Sequence, residues 1–117
     1  IAYDDGYTGL AAELSEGERL AGIIADKHVL FMKNHGVVAV GDSVAQAYRR
    51  LYRLERVCRA QLLAMSTGQP LALLSDELVA KVDKPNPDDS HPRAEREALY
   101  FAAMMRVLDR TNPGYAD

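Results

Sequence analysis

Hydrophobic and polar positions along the 117-residue chain form two kinds of pattern, short continuous apolar runs and longer stretches with helical spacing. Val29–Met32 and Val37–Val40 are apolar runs of β-branched and large side chains, each too short for a helix. Runs of this length bounded by turn residues are typical of buried strands. The pattern therefore predicts two adjacent strands joined by a turn at residues 34–36, and a further short strand at Ile1–Tyr3.

The predicted turn carries the histidine that is best placed for chemistry. At a turn, the ring of His35 would be free to face a cleft, although a histidine seen alone is more often structural than a ligand. We expect Gly36 to adopt a positive φ angle or to lie close against neighbouring backbone, because glycine has no Cβ.

Two capping-box patterns mark helix starts, since a serine followed three residues later by Glu or Gln satisfies two free amides. The first, at Ser15 and Glu18, predicts a helix to about Asp26. The second, at Ser43 and Gln46, predicts a helix from Val44 to about Ser66, ended by glycine and proline. This second helix has an apolar stripe. The stripe consists of Val44, Ala47, Leu51, Leu54, Cys58, Leu62 and Met65.

The C-terminal third predicts a short helix, a linker and a last helix. The short helix starts at Ser75 and ends before Lys84, where a proline- and aspartate-rich stretch begins. The last helix runs from about Pro92 to Arg110. We therefore divide one domain into a core of sheet and long helix (residues 1–74), a short helix and linker (75–89), and a C-terminal helix and tail (90–117).

Composition narrows the class of protein. The length suits one small domain, and 48% hydrophobic with 26% charged residues is ordinary for a soluble globular protein. A net charge of −3 predicts no nucleic-acid partner, and no apolar run approaches the roughly 20 residues that span a bilayer. Cys58 cannot form an internal disulfide, which favours the cytoplasm. Because the chain begins at Ile1 in what resembles a strand in mid-course, we expect it to be a piece of a longer protein.

Several other residues could have either a functional or a structural role. Asp4 and Asp5 can bind a cation or act as an acid–base pair, but with no third ligand nearby a solvated turn is the better interpretation. Five arginines of the long helix can bind phosphates, although pairing of Glu55 with Arg59 favours a solvated or subunit-facing surface. His28 is interpreted as a helix-end residue that meets the dipole. His91 is interpreted as a cap-region residue, and Cys58 as a small core residue.

No dinucleotide-binding, Walker, H-E-x-x-H or G-x-S-x-G motif occurs. The strand–Asn34-His35-Gly36–strand unit, followed by a long helix, resembles the class II aldolase/adducin family. The segments that carry the resemblance are Ile1-Ala2-Tyr3-Asp4-Asp5, Asn34-His35-Gly36-Val37-Val38, Leu51-Tyr52-Arg53-Leu54-Glu55-Arg56 and Ser66-Thr67-Gly68-Gln69-Pro70-Leu71. The match is good to about Leu74, weaker in the linker and moderate over the last helix. It is closest to bacterial class II aldolases of uncharacterised function.

The resemblance implies an α/β fold, a three-layer α/β/α sandwich with a mainly antiparallel central sheet, of which this chain is the C-terminal part. It also implies a homotetramer. It makes His35 the third histidine ligand of a catalytic divalent metal, most often zinc, with Asn34 and Gly36 as positioning residues. In the family's aldolases the metal polarises a carbonyl of a small-molecule substrate and stabilises an enediolate. Tyr7 and Tyr115 are candidates for active-site residues from a loop and the tail.

The sequence departs from the family pattern in what it lacks. The other two metal histidines, an H-x-H pair, and the acid/base glutamate belong to the N-terminal half of the domain, upstream of Ile1. This chain alone should therefore be inactive, and the resemblance predicts a metal-dependent lyase or epimerase only for the complete protein. The alternative is an adducin-like module that keeps the fold and serves in binding or oligomerisation.

Overall fold

In the part of the chain that the structure describes, the sheet has three short strands in the order β1-β2-β3. A computed structural model describes residues 1–6, 14–82, 84 and 92–115. β1 is Ala2–Asp4, β2 is Val29–Met32 and β3 is Gly36–Ala39. β1 pairs with β2 in parallel, and β2 pairs with β3 antiparallel. Because a parallel pair needs a crossover, the chain passes from β1 to β2 through a helix, whereas a tight turn joins β2 to β3.

The strand predictions hold to within one residue. β2 has the predicted bounds, while β1 and β3 are displaced by one residue from the predicted Ile1–Tyr3 and Val37–Val40. Mixed α and β content confirms the predicted α/β class. The described strands make one parallel and one antiparallel pairing, so the mainly antiparallel, three-layer arrangement remains a prediction for the wider domain.

The described residues also form four helices: α1 (Leu14–Ile24), α2 (Val44–Met65), α3 (Asp76–Val82) and α4 (Arg93–Thr111). α1 packs against β1 and β2, and α2 packs against β3 and α4. No helix among the described residues is both long enough and apolar enough to cross a membrane.

The start of α2 confirms the second predicted capping box. Ser43 is the N-cap, and its side-chain oxygen accepts from the backbone N–H of Gln46 at 3.2 Å. The Gln46 side chain accepts from the backbone N–H of Asp42, the residue before the N-cap, at 2.8 Å, so the second bond of the box is displaced by one residue. The first predicted box is wrong. Leu14 is already helical, so Ser15 lies inside the first turn of α1 and is not its N-cap.

The contact between α2 and α4 is aromatic. Tyr48 meets Phe101 edge-on with centroids 5.5 Å apart, and Tyr52 lies 5.7 Å from Tyr100. The guanidinium carbon of Arg49 sits 3.8 Å from the centre of the Tyr100 ring, a cation–π geometry. Aromatic side chains bury large areas, so these rings hold the two helices together.

The apolar stripe predicted on α2 is half-buried at Ala47, Leu54 and Cys58 and exposed at its other positions. Val44, Leu62 and Met65 are exposed by 74%, 66% and 53%. Helical spacing therefore predicted that an apolar face exists, but it does not show what covers the exposed positions. By contrast, Glu97 of α4 is buried, and its Oε1 accepts from Nε of Arg93 at 3.1 Å.

Little of the chain forms a core. Leu30, on the central strand, is the one hydrophobic side chain that is fully buried among the described residues. The radius of gyration is 17.7 Å, against about 13 Å for a compact domain of this length. The described part of the chain therefore leaves most of its apolar side chains facing outward.

The end of α1 offers a stabilising substitution. Ala25, directly after the last helical residue, has a φ angle of 44° and donates its N–H to the carbonyl of Ala21 at 3.0 Å. Alanine pays for this left-handed conformation, whereas glycine adopts it freely. We expect Ala25→Gly to raise the free energy of unfolding by about 0.5–1 kcal/mol, net of the entropy that glycine loses on folding.

The matched control for this prediction is Ala21→Gly, the same change one turn earlier within the helix. There it should destabilise by about 1 kcal/mol. Chemical denaturation measures both variants. A loss of stability in Ala25→Gly comparable to that in Ala21→Gly would contradict the left-handed assignment.

Candidate functional site

The predicted turn between β2 and β3 is confirmed, and residues 33–35 form it. Met32 and Gly36 are the last strand pair, and the His35 N–H donates to the Met32 carbonyl at 3.1 Å. Asn34, the middle residue of these three, has a φ angle of 59°. Asparagine is among the few residues with a side chain that tolerate this conformation. The backbone on the N-terminal side of His35 is therefore fixed by a hydrogen bond and a left-handed residue.

The prediction for Gly36 is wrong. The left-handed backbone conformation and the close backbone approach expected there occur at two other residues. Gly36 has no positive φ angle, and a Cβ added to it would meet nothing within 4 Å. The left-handed position is Asn34 instead. The close backbone approach is at Gly41, where an added Cβ would lie 2.8 Å from the backbone nitrogen of Ala47 and 2.9 Å from the side-chain oxygen of Gln46.

His35 is exposed at the surface of the turn. Within residues 1–6, 14–82, 84 and 92–115, no three histidine, cysteine, aspartate or glutamate side chains converge in a way that could hold a metal ion. A zinc site needs three or four protein donors. The described residues therefore offer one imidazole and do not by themselves fit a metal centre.

The other two histidines do not join this site. His28 lies four residues beyond the end of α1, outside the last turn where a helix dipole acts, so its predicted helix-end role is wrong. Its backbone carbonyl accepts from the N–H of Val40 at 3.0 Å, which extends the β2–β3 pairing. His91 lies outside the described residues.

A partly buried ion pair lies next to the turn, and the sequence did not point to it. The Asp4 carboxylate, 7% exposed, accepts two hydrogen bonds from Arg19 at 2.8 and 2.7 Å and a third from the N–H of Gly6 at 3.1 Å. Asp5 has an 87% exposed side chain and lies 3.8 Å from Nζ of Lys33. The predicted solvated turn is therefore right for Asp5 and wrong for Asp4.

These contacts shift the acid–base properties of both partners. Hydrogen bonds from Arg19 lower the pKa of Asp4 to about 2, assisted by the Gly6 N–H and opposed by burial. Hydrogen bonds to Glu16 and then to Asp4 raise the pKa of Arg19 above its ordinary value. Both groups are therefore charged at neutral pH.

The lowered pKa of Asp4 predicts a pH dependence of stability. Since the folded-state pKa lies below the unfolded-state value, this carboxylate stabilises the fold above about pH 4, and the contribution disappears as the pH falls towards 2. Denaturation curves recorded between pH 2 and 5 should show Asp4→Asn less stable than the unmodified protein at pH 5, with the gap closing at the acid end.

The neighbouring residue gives the control for this titration. Asp5→Asn, which changes an exposed carboxylate, should follow the unmodified protein at every pH. A gap for Asp4→Asn that stays constant from pH 5 to pH 2 would show that the ion pair does not set the pH dependence.

A shallow cleft of about 400 Å³ opens beside the turn. On one side, the rings of Tyr3 and Phe31 stack with centroids 5.7 Å apart and planes 12° from parallel. Lys33, the first residue of the turn, also lines it. A cleft with an aromatic wall and nearby charges is typical of a binding surface. It lies next to the turn at this end of the sheet, but His35 is not among its lining residues.

The two tyrosines predicted for the site have different outcomes. Tyr7 lies outside the described residues. Tyr115 donates its hydroxyl to Oδ1 of Asp109 at 3.2 Å and its N–H to the carbonyl of Asn112 at 3.1 Å. Burial, and then the charge of Asp109, raise the pKa of Tyr115. Its described partners thus lie at the end of α4, and its place in the active site remains a prediction.

The arginines of α2 do not form the expected surface pair. Glu55 and Arg59 make no ion pair, so the predicted pairing is wrong. Arg50 instead donates to the carbonyl of Val40 at the end of β3, which ties the first turns of α2 to the sheet. Cys58 is half-buried with a free thiol.

Comparison with known proteins identifies the family. Residues 1–62 match the family model described as the Class II Aldolase and Adducin N-terminal domain. The chain is 35% identical over 117 residues to a Caulobacter vibrioides protein named "Putative aldolase class 2 protein", covering 100% of this chain and 44% of that protein. It is 28% identical over 119 residues to an adducin-related protein of Schizosaccharomyces pombe, covering 98% of this chain and 36% of that one.

A solved structure agrees with these sequence matches. The crystal structure of an aldolase II superfamily protein from Pseudomonas syringae superposes with a TM-score of 0.77 at 36% identity, covering 99% of this chain and 45% of that chain. This chain thus spans less than half the length of these relatives. The family model, the relatives and the superposition all cover the strand–turn–strand unit with the helix after it, and the chain belongs to the class II aldolase and adducin family.

Proposed function

We propose that this chain is the C-terminal part of the domain of a metal-dependent aldolase-type lyase or epimerase that acts on a small hydroxy-carbonyl compound. In this proposal His35 is one protein ligand of a divalent ion, most often zinc in such proteins. The observation that supports it is an exposed imidazole on a turn whose backbone is fixed by Asn34 and the Met32 carbonyl, in a chain of this family.

The rest of the proposed site lies outside the described residues. Neutral imidazole is a good ligand for zinc, but a catalytic zinc needs further protein donors and an open position. The resemblance assigns these donors to an upstream H-x-H pair, and the acid/base role to an upstream glutamate. A bound divalent ion would supply Lewis-acid polarisation of a carbonyl.

In this proposal the described part of the chain positions the His35 imidazole. The rigid turn sets where the His35 imidazole stands, and pre-positioned ligands lose less entropy on binding. The finer features of the family, a three-layer sandwich, a homotetramer, a cytoplasmic location and roles for Tyr7 and Tyr115 at the substrate, belong to the same proposal.

Zinc titration of the complete protein tests the role of His35. We expect the unmodified protein to bind zinc stoichiometrically and His35→Ala to lose this binding, together with any aldol cleavage or epimerisation. His28→Ala is the matched control, since His28 is also exposed but lies away from the turn, and it should bind zinc normally. Zinc binding that is equal in the two variants would remove His35 from the site.

A second candidate function is a non-catalytic binding or oligomerisation module. Human beta-adducin is 34% identical to this chain over 96 residues, which is 74% of this chain and 13% of that protein. The same zinc titration separates the two candidates. A complete protein that lacks the upstream H-x-H pair and binds no zinc would be an adducin-like module.

A further inference from the structure

We propose that the ion pair between Asp4 and Arg19 is a positioning device for the turn that carries His35. The pair connects three parts of the chain that are far apart in sequence: the end of β1, the first turns of α1 and the start of the β2–β3 turn. The importance of this device for ligand binding rests on the proposed function of His35, whereas its effect on the turn does not.

The side chain of Asp4 makes the first connection. Both of its oxygens accept from the two terminal nitrogens of the Arg19 guanidinium, at 2.8 and 2.7 Å. This bidentate arrangement fixes the relative orientation of the carboxylate and the guanidinium, and so of β1 and α1. The Gly6 N–H also donates to Asp4, at 3.1 Å, which fixes the path of the chain as it leaves β1.

The backbone of Asp4 makes the second connection. Its carbonyl accepts from the N–H of Lys33 at 2.9 Å. Lys33 is the first residue of the turn, and two residues later the N–H of His35 closes the turn on the carbonyl of Met32. The residue whose side chain is tied to α1 therefore also holds, through its backbone, the first residue of the turn. A displacement of Asp4 is passed directly to Lys33.

Arg19 is itself held by a second carboxylate. Its Nε and one terminal nitrogen donate to the two oxygens of Glu16, both at 2.7 Å, and that terminal nitrogen also approaches the Gly6 carbonyl at 3.3 Å. The Arg19 side chain is 34% exposed, whereas those of Asp4 and Glu16 are 7% and 17% exposed. Only an arginine has enough donors in a rigid plane to serve two carboxylates at once.

Loss of Arg19 would leave Asp4 as a buried charge without its main partner. Such a charge is costly, so the carboxylate would turn towards water or take up a proton. Either change removes the constraint on the end of β1. The expected consequence is local, because the hydrogen bond between the Val40 N–H and the His28 carbonyl, on the far side of the hairpin, does not involve Asp4 or Lys33.

Hydrogen exchange in the complete protein tests this locality. In Arg19→Gln, the Lys33 amide should exchange at least about tenfold faster than in the unmodified protein, while the Val40 amide changes little. Arg19→Lys should behave similarly, because an ammonium cannot make the bidentate contact. Lys27→Gln, which removes an exposed ion pair with Asp26, is the matched control and should leave both amides unchanged.

Two results of the exchange experiment would overturn the proposal. Equally faster exchange of the Lys33 and Val40 amides would make the ion pair a general stabiliser, and unchanged exchange at Lys33 would make it irrelevant to the turn. If the Lys33 amide exchanged as slowly in Arg19→Lys as in the unmodified protein, the argument from bidentate geometry would be overturned. If Arg19→Gln does not fold, Asp4→Asn provides the same comparison, since it keeps an acceptor for the Gly6 N–H.

Zinc affinity separates this inference from the proposed function. We expect Arg19→Gln to bind zinc up to about tenfold more weakly, because binding would then have to order the turn that carries His35. If the unmodified protein binds no zinc through His35, the proposed function fails while the exchange result for Lys33 still stands. If zinc binds through His35 and both the affinity and the Lys33 exchange are unchanged in Arg19→Gln, only the positioning role fails.

Discussion

Replacement of Leu30 by alanine is expected to lower the free energy of unfolding by about 2–5 kcal/mol, the cost of removing a fully buried leucine side chain. Leu30 is 1% exposed and lies on the central strand, paired with Ala2 on one side and Val38 on the other. β1, β3 and α1 all contact β2. No single neighbouring side chain can therefore fill the cavity that the substitution leaves.

Chemical denaturation of matched leucine variants measures this effect. Leu73 is 84% exposed, so Leu73→Ala should change stability by no more than about 0.5 kcal/mol. Similar small losses in the two variants would mean that the core of the folded protein does not centre on β2.

Gly41→Ala is the second substitution with a large expected effect, a loss of about 1–3 kcal/mol, as is typical of overpacking. The new methyl group would lie 2.8 Å from the backbone nitrogen of Ala47 and 3.1 Å from Cβ of Gln46. The backbone of Ala47 cannot move aside as a flexible side chain can, so the first turn of α2 would have to move away from the end of β3. That movement would also disturb the Ser43 cap.

Gly36→Ala is the control for this prediction. Gly36 is also a glycine of the hairpin region, but its φ angle is not positive and an added methyl group meets nothing within 4 Å. It should be neutral or slightly stabilising, because alanine reduces the entropy of the unfolded chain. If Gly36→Ala were the more damaging change, the close approach at Gly41 would not exist in the folded protein.

Local sequence patterns predicted the elements around the candidate site. The Ser43 cap depends on a hydrogen bond between residues three apart, so the sequence contains all of its parts. The hairpin was equally predictable, because two apolar runs enclose a short polar turn. Tyr48 and Tyr52 show the limit of this approach. Their aromatic partners belong to α4, and the spacing within α2 does not identify them.

The errors have the same physical origin. The Ser15 pattern satisfied the capping rule, but the chain upstream was already helical at Leu14. The conformational freedom assigned to Gly36 was needed at Asn34, since the turn closes one residue earlier than predicted. In both cases the pattern was correct about the type of structure and wrong about its exact position.

Arg19 is the residue that sequence reasoning missed. Its spacing from Glu16 indicates an ion pair on one face of a helix, which alone contributes little. The partner that matters is Asp4, fifteen residues away, and no local rule connects them. His35 was predicted from the turn, whereas the residues that fix the position of its turn became visible only when β1 and α1 were placed together.

The isolation of α3 has a practical consequence for handling the protein. All seven of its residues are exposed, and a helix this short receives too little stabilisation from its own hydrogen bonds to persist in water. In a sample of this chain alone, Leu78, Val79 and Val82 would be exposed beside Leu71, Leu73 and Leu74. We therefore expect this segment to favour association between copies and to be an early cleavage point for proteases.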